Sequence, residues 1–183
     1  GARVRRLSAA PLFQSKPSWV TCSVDGNNEV SVWNLETGAC EKSLWASHAP
    51  PLSQTQVSPH AVYGVYTSPP DAGQFILTAG SDRRIRLWDL QSPEDSCIVA
   101  GSSSDNLNDV VLKYNSRLID GTEVVREIYC KSNQVTTQDD VPKRGPDKPP
   151  TGHNDCITDL AFVTTPQPFL ISAARDGVIK IWK

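Results

Sequence analysis

An all-β fold of repeated antiparallel units is what the sequence predicts, on three observations. One pattern recurs three times, each copy alternates apolar and polar residues at period two, and no stretch of the chain shows a convincing helix period. The copies are Thr21-Cys-Ser-Val-Asp25 leading to Trp33, Thr78-Ala-Gly-Ser-Asp82 leading to Trp88, and Ser172-Ala-Ala-Arg-Asp176 leading to Trp182. Each reads as a strand end, a tight turn carrying Asp, and a second strand closing on Trp. The Asp and Trp stand six residues apart in the last two copies and eight apart in the first, whose turn holds two more residues. Internal repetition at this scale marks an array of similar units and outweighs any single-segment signal.

The elements follow in order. Ile85 and Leu87 alternate with Arg84, Arg86 and Trp88, and Ile179 and Ile181 alternate with Lys180 and Trp182. Period two puts successive side chains on opposite faces of a strand. Stacked sheets cover both faces, so a Trp opposite an aliphatic row is consistent with burial. A β-rich run precedes each turn: Trp19 to Thr21, Phe75 to Thr78, and Phe169 to Ser172. One strand earlier come Val62 to Tyr66 and Ile157 to Phe162.

These residues resemble the WD-repeat family, in which a Gly-His precedes the first strand of a four-stranded blade and Trp-Asp follows the third. Gly152-His153 stands before the last copy, where Lys183 replaces the Asp after Trp182. The resemblance implies a buried tetrad of His, Ser or Thr, turn Asp and Trp. Residue by residue this gives His153, Ser172, Asp176 and Trp182 in the last copy. The middle copy gives Thr78, Asp82 and Trp88, with His60, after Pro59 where the family has Gly, as its histidine. The first copy gives Thr21, Asp25 and Trp33 with no histidine upstream. The expected architecture is an incomplete WD-repeat β-propeller, the last three of about seven blades. Residues 1–45 form an incomplete blade, 46–100 a blade, 101–151 an insertion with a β-hairpin, and 152–183 the last blade. A stretch rich in proline, 46–59, absorbs the surplus length between Trp33 and Trp88. For 101–151 two readings stand: an insertion turning at Asp120-Gly121, a favoured two-residue hairpin turn, which is preferred, or a degenerate fourth blade. Residues 132–150, polar and with four prolines, lack the apolar content to order themselves.

His153, Ser172 and Asp176 also spell a hydrolytic triad. A nucleophilic Ser needs an exposed sharp turn and an open cleft, whereas Ser172 ends a strand, and the repeat accounts for all three residues. No phosphate-binding glycine loop, HExxH or kinase catalytic-loop signature is present, so no catalytic or cofactor site is expected. The cysteines Cys22, Cys40, Cys97, Cys130 and Cys156 contain no CxxC pair, which leaves a zinc site unsignalled and fits buried thiols in a reducing compartment. With 18 Lys and Arg against 20 Asp and Glu, a net charge of −2, the chain lacks the cationic excess that nucleic-acid binding requires. No apolar run approaches the roughly 18 residues of a membrane span.

A closer resemblance rests on Trp45-Ala-Ser-His-Ala-Pro-Pro-Leu52, the Thr78 to Leu90 segment, Ile119-Asp-Gly-Thr-Glu-Val-Val125 and the ending Ser172 to Lys183. From about Val20 onward the chain is similar to the C-terminal propeller of the regulatory, kinase-like subunits (vacuolar protein sorting factors) of class III phosphatidylinositol 3-kinase complexes. That resemblance implies a non-catalytic scaffold acting in autophagy and endosomal sorting, cytoplasmic and peripheral on membranes through the complex. The implied partners are the lipid kinase catalytic subunit and Beclin-type subunits. The family's kinase-like domain is N-terminal and has no counterpart in these residues. The alternative is a generic WD-repeat adaptor of another assembly. The chain is further expected to be the C-terminal end of its parent, with the outer strand of the last blade coming from the propeller's start.

Overall fold

The computed structural model describes residues 4–9, 19–24, 29–46, 62–68, 74–101, 110–131, 152–164 and 166–183. Three antiparallel meanders carry the fold. The first holds β1 (Val4–Ala9), β2 (Trp19–Val24), β3 (Glu29–Asn34) and β4 (Cys40–Trp45). The second holds β5 (Val62–Thr67), β6 (Phe75–Gly80), β7 (Ile85–Asp89) and β8 (Cys97–Ala100). The third holds β11 (Ile157–Val163), β12 (Phe169–Ala174) and β13 (Ile179–Trp182). This is the incomplete propeller the repeat predicts.

The first blade is a correction to its expected incompleteness. It has all four strands, because β1 forms from Val4-Arg-Arg-Leu-Ser-Ala without any Gly-His to announce it.

The blades stack through their first strands, with β5 lying between β1 and β11. Gly64 makes this approach possible on one side. A Cβ there would lie 2.9 Å from Leu160 Cγ and 3.3 Å from the Asp159 carbonyl carbon. On the other side the Thr67 hydroxyl donates to Ser8 Oγ. Two apolar cores fill the gaps. Val30, Val32 and Leu44 of the first blade meet Val62, Val65, Ile76 and Trp88 of the second. Leu77 and Ile85 on the opposite face of the second blade meet Ile157, Leu160 and Leu170 of the third, with Tyr66, Phe75 and Phe162 packed ring to ring at the seam. Each fully buried aliphatic side chain contributes about 1.5–3 kcal/mol, so the middle blade, covered on both faces, is the best anchored.

Residues 101–151 contain β9 (Val110–Ile119) and β10 (Thr122–Lys131), joined at Asp120-Gly121. Both turn residues have positive φ, 48° and 84°, as the mirror-image turn of a two-residue hairpin requires. The hairpin forms no blade of its own. β10 pairs in parallel with β4, Glu123 opposite Lys42 through Arg126 opposite Trp45, so the first sheet becomes six-stranded in the order β1-β2-β3-β4-β10-β9.

The expectation of buried thiols holds for Cys156 and fails for Cys97, which is exposed on the short outer strand β8.

Candidate functional site

In the third blade the structure brings His153, Ser172, Asp176 and Trp182 together. Ser172 ends the buried run of β12, Trp182 closes β13, and Asp176 sits in the turn between them. The Trp182 indole N–H donates to Ser172 Oγ at 2.9 Å, and His153 Nε2 lies 2.7 Å from the same oxygen. His153 Nδ1 is 3.2 Å from Asp176 Oδ2. Asp176 also accepts from the backbone N–H groups of Asn154 and Val178. Burial alone would raise its pKa, but the Asn154 and Val178 N–H donors and His153 outweigh that and hold the carboxyl below its ordinary value. An ionised Asp176 accepts a hydrogen bond from Nδ1–H, which leaves Nε2 to accept from the Ser172 hydroxyl.

The order Ser, His, Asp matches a hydrolytic relay, but access does not. The Ser172 side chain is wholly buried, and its oxygen already accepts from the Trp182 N–H. A nucleophile must reach substrate; this hydroxyl reaches only its own blade. The arrangement fastens β12, β13 and the segment at His153 to one another. Among the described residues no group of three His, Cys, Asp or Glu side chains is placed to hold a metal ion.

The second blade keeps part of this pattern. The buried Trp88 indole donates to Thr78 Oγ1 at 2.8 Å. His60 lies outside the described residues. Asp82 Oδ1 accepts from the Arg84 N–H at 3.3 Å. Its Oδ2 has no aligned hydrogen-bond donor among the described residues, and its compensation is the charge of Arg86, whose Nη1 stands 2.7 Å away. Arg86 in turn forks onto Glu127 of the hairpin, Nε to Oε2 at 2.8 Å and Nη2 to Oε1 at 3.1 Å. The Tyr114 hydroxyl adds a third donor to Glu127 at 2.8 Å. Burial opposes the Arg86 charge, but the adjacent carboxylates of Asp82 and Glu127 more than offset it and keep the guanidinium protonated. Burial, followed by the Glu127 carboxylate, pushes the Tyr114 hydroxyl far up, so it remains a donor. This network joins the second blade to the hairpin, and the Trp88 and Tyr114 rings meet edge to face beside it.

Arg86, Tyr114 and Glu127 escape the sequence reading. The available signal was parity: Glu127 shares its strand face with Val125, which is buried, so a carboxylate there needs a buried cation.

The first blade departs furthest. Asp25 lies outside the described residues, and the register corrects Thr21. Trp88 pairs with Ile76 and Trp182 with Leu170, in each case two residues before the hydroxyl residue. Trp33 pairs with Val20 and Thr21 with Val32, so the corresponding position is Cys22. The longer turn shifts the register relative to a simple alignment. Trp33 is itself 39% exposed.

Against known families, the WD domain, G-beta repeat, matches residues 52–89 and 148–183. The chain is 28% identical over 193 aligned positions to "Serine/threonine-protein kinase VPS15" of Arabidopsis thaliana, covering 86% of this chain and 13% of that protein. It is 32% identical over 96 positions to "U3 snoRNP-associated protein-like YAOH" of Oryza sativa subsp. japonica, 48% of this chain and 18% of the relative. It is 22% identical over 156 positions to "WD-40 repeat-containing protein MSI4" of Arabidopsis thaliana, 84% of this chain and 26% of the relative. The chain thus spans between 13% and 26% of the length of these relatives.

Proposed function

We propose that the chain, which carries WD repeats and is similar to VPS15, is a WD-repeat domain of a VPS15-like protein and a non-catalytic scaffold within a class III phosphatidylinositol 3-kinase complex. The observation that carries this is the breadth of the similarity, which extends over 86% of the chain and so reaches well beyond the repeat-matched stretches. The partners under this reading are the lipid kinase catalytic subunit and Beclin-type subunits. The location is the cytoplasmic face of endosomal and autophagic membranes, reached through the complex; among the described residues no helix is long and apolar enough to cross a membrane. Protein kinase activity, named for the Arabidopsis relative, belongs in this reading to parts of a parent beyond the 13% matched here.

The His153–Ser172–Asp176–Trp182 set is proposed as a structural brace, and the second-blade set likewise. A scaffold needs rigid blades so that loops and edges keep their positions, and buried, satisfied polar networks supply that rigidity. The test is co-purification: tagged endogenous parent protein brings down the lipid kinase and a Beclin-type subunit. Recovery of a different assembly lacking both overturns the proposal in favour of a general WD-repeat adaptor.

A further inference from the structure

The β9–β10 hairpin sorts its charges by face. On β10, Glu123 and Glu127 share the inner face, where Lys42 of the first blade and Arg86 of the second take them up. The cations point the other way. Arg117 pairs with Val124 and Lys113 with Ile128, while Arg126 pairs with Asn115, so Lys113, Arg117 and Arg126 share the outer face. All three are exposed. Arg126 lies over the ring of Trp45, 5.2 Å from its centre, and Ile119 and Ile128 are 45% and 38% exposed on the same side. No carboxylate of β9 or β10 reaches this face, because both are committed inward.

The same hairpin presents a backbone edge. β9 runs for ten residues, and among the described residues it pairs with β10 alone. Alternate residues of such a strand direct N–H and C=O groups outward, ready for another strand. A second copy of β9 is a poor occupant, since its own Lys and Arg would confront these and like charges across a sheet repel. We infer that the outer edge of β9 is a docking site for an extended, acidic segment of a partner protein, added as a seventh strand of the first sheet. This rests on the reading of the domain as an interaction scaffold and names one of its surfaces. Lys113 and Arg117 are four residues apart, about 13 Å along a strand. An added strand with acidic residues at positions i and i+4 on that side meets both, and the next residue on that side lies opposite Ile119. The backbone edge favours a polypeptide over other polyanions, which cannot use it.

The test uses the full-length parent protein and a fluorescein-labelled peptide of alternating Glu and Val, long enough to span β9. Saturable binding by anisotropy is expected. Binding should be lost when alternate peptide nitrogens are methylated, and should weaken about tenfold or more in Lys113→Glu/Arg117→Glu. A Lys-Val peptide should bind that double variant better than it binds wild type, which separates charge recognition from a folding defect. No saturable binding, binding that survives methylation, or binding of phosphatidylserine vesicles or poly(U) in place of the peptide overturns the inference. If the peptide fails while the lipid kinase still co-purifies with the parent, the docking site falls and the scaffold reading stands.

Discussion

In the third blade the turn carboxylate of Asp176 is met by His153, and the whole network is completed within one meander and the turn before it. In the second blade the equivalent carboxylate, Asp82, is met by Arg86 from its own strand β7, and Arg86 is then balanced by Glu127 from a hairpin 41 residues further along the chain. The first arrangement is local and rests on hydrogen bonds in which every polar atom has a partner. The second is long-range and ionic, with a wholly buried Glu127 side chain and an Arg86 side chain only 3% exposed. A buried ion pair tolerates little: its desolvation is offset only while both partners are present. The two blades therefore share a fold and differ in what they depend on. The third depends on itself, and the second on the insertion.

The largest expected effect follows from that dependence. Glu127→Ala leaves the Arg86 charge buried against Asp82 alone and should destabilise the parent's propeller by about 3–5 kcal/mol, read as a fall in its melting temperature. Adding Arg86→Ala to the Glu127→Ala background should cost far less than it does in wild type. Additive losses in that cycle would show that the two blades do not differ in this way.

A middle-sized effect is expected in the third blade. Ser172→Ala leaves the Trp182 N–H and a His153 nitrogen unpaired and should cost about 1–3 kcal/mol. Ser172→Thr keeps the hydroxyl, as Thr78 does for Trp88, and should cost less. Equal losses in melting experiments would remove the hydrogen bonds as the cause.

The smallest effect is in the pH dependence. Asp176 is held below its ordinary value of 3.8, so its stabilising contribution is complete above that value and is lost as pH falls through the lower, folded-state value. Melting temperature measured from about pH 5 down to about pH 2 should fall more steeply for wild type than for Asp176→Asn. Parallel curves would mean that the carboxylate titrates alike in folded and unfolded chains.

The repeat was legible because a tight turn and a closing Trp leave a local spacing, and Thr78, Asp82 and Trp88 or Ser172, Asp176 and Trp182 fall where that spacing puts them. The hairpin turn was legible for the same reason, since Asp120-Gly121 needs only its own two dihedral angles. Where the hairpin docks was not, because pairing Glu123 with Lys42 leaves no mark on either segment alone. The register of Trp33 was obscured by two extra turn residues, which an alignment absorbs silently and a sheet cannot. β1 went unseen for want of the Gly-His signature, although its cross-strand pairing with β2 is continuous apart from one irregularity.

The parallel seam between β4 and β10 also fixes an order of events during synthesis. Lys42 and Glu123 are 81 residues apart, and a ribosome adds roughly 5–20 residues per second. The edge of β4 is thus made roughly 4–16 s before the strand that covers it. During that interval the nascent first blade carries an open rim, with Leu44 and Trp45 at it and Val125 not yet made. Only when β10 emerges does the first sheet gain its fifth strand and the second blade its Glu127. The hairpin closes two blades in one step, so the earlier half of this domain waits on the later half for its final form.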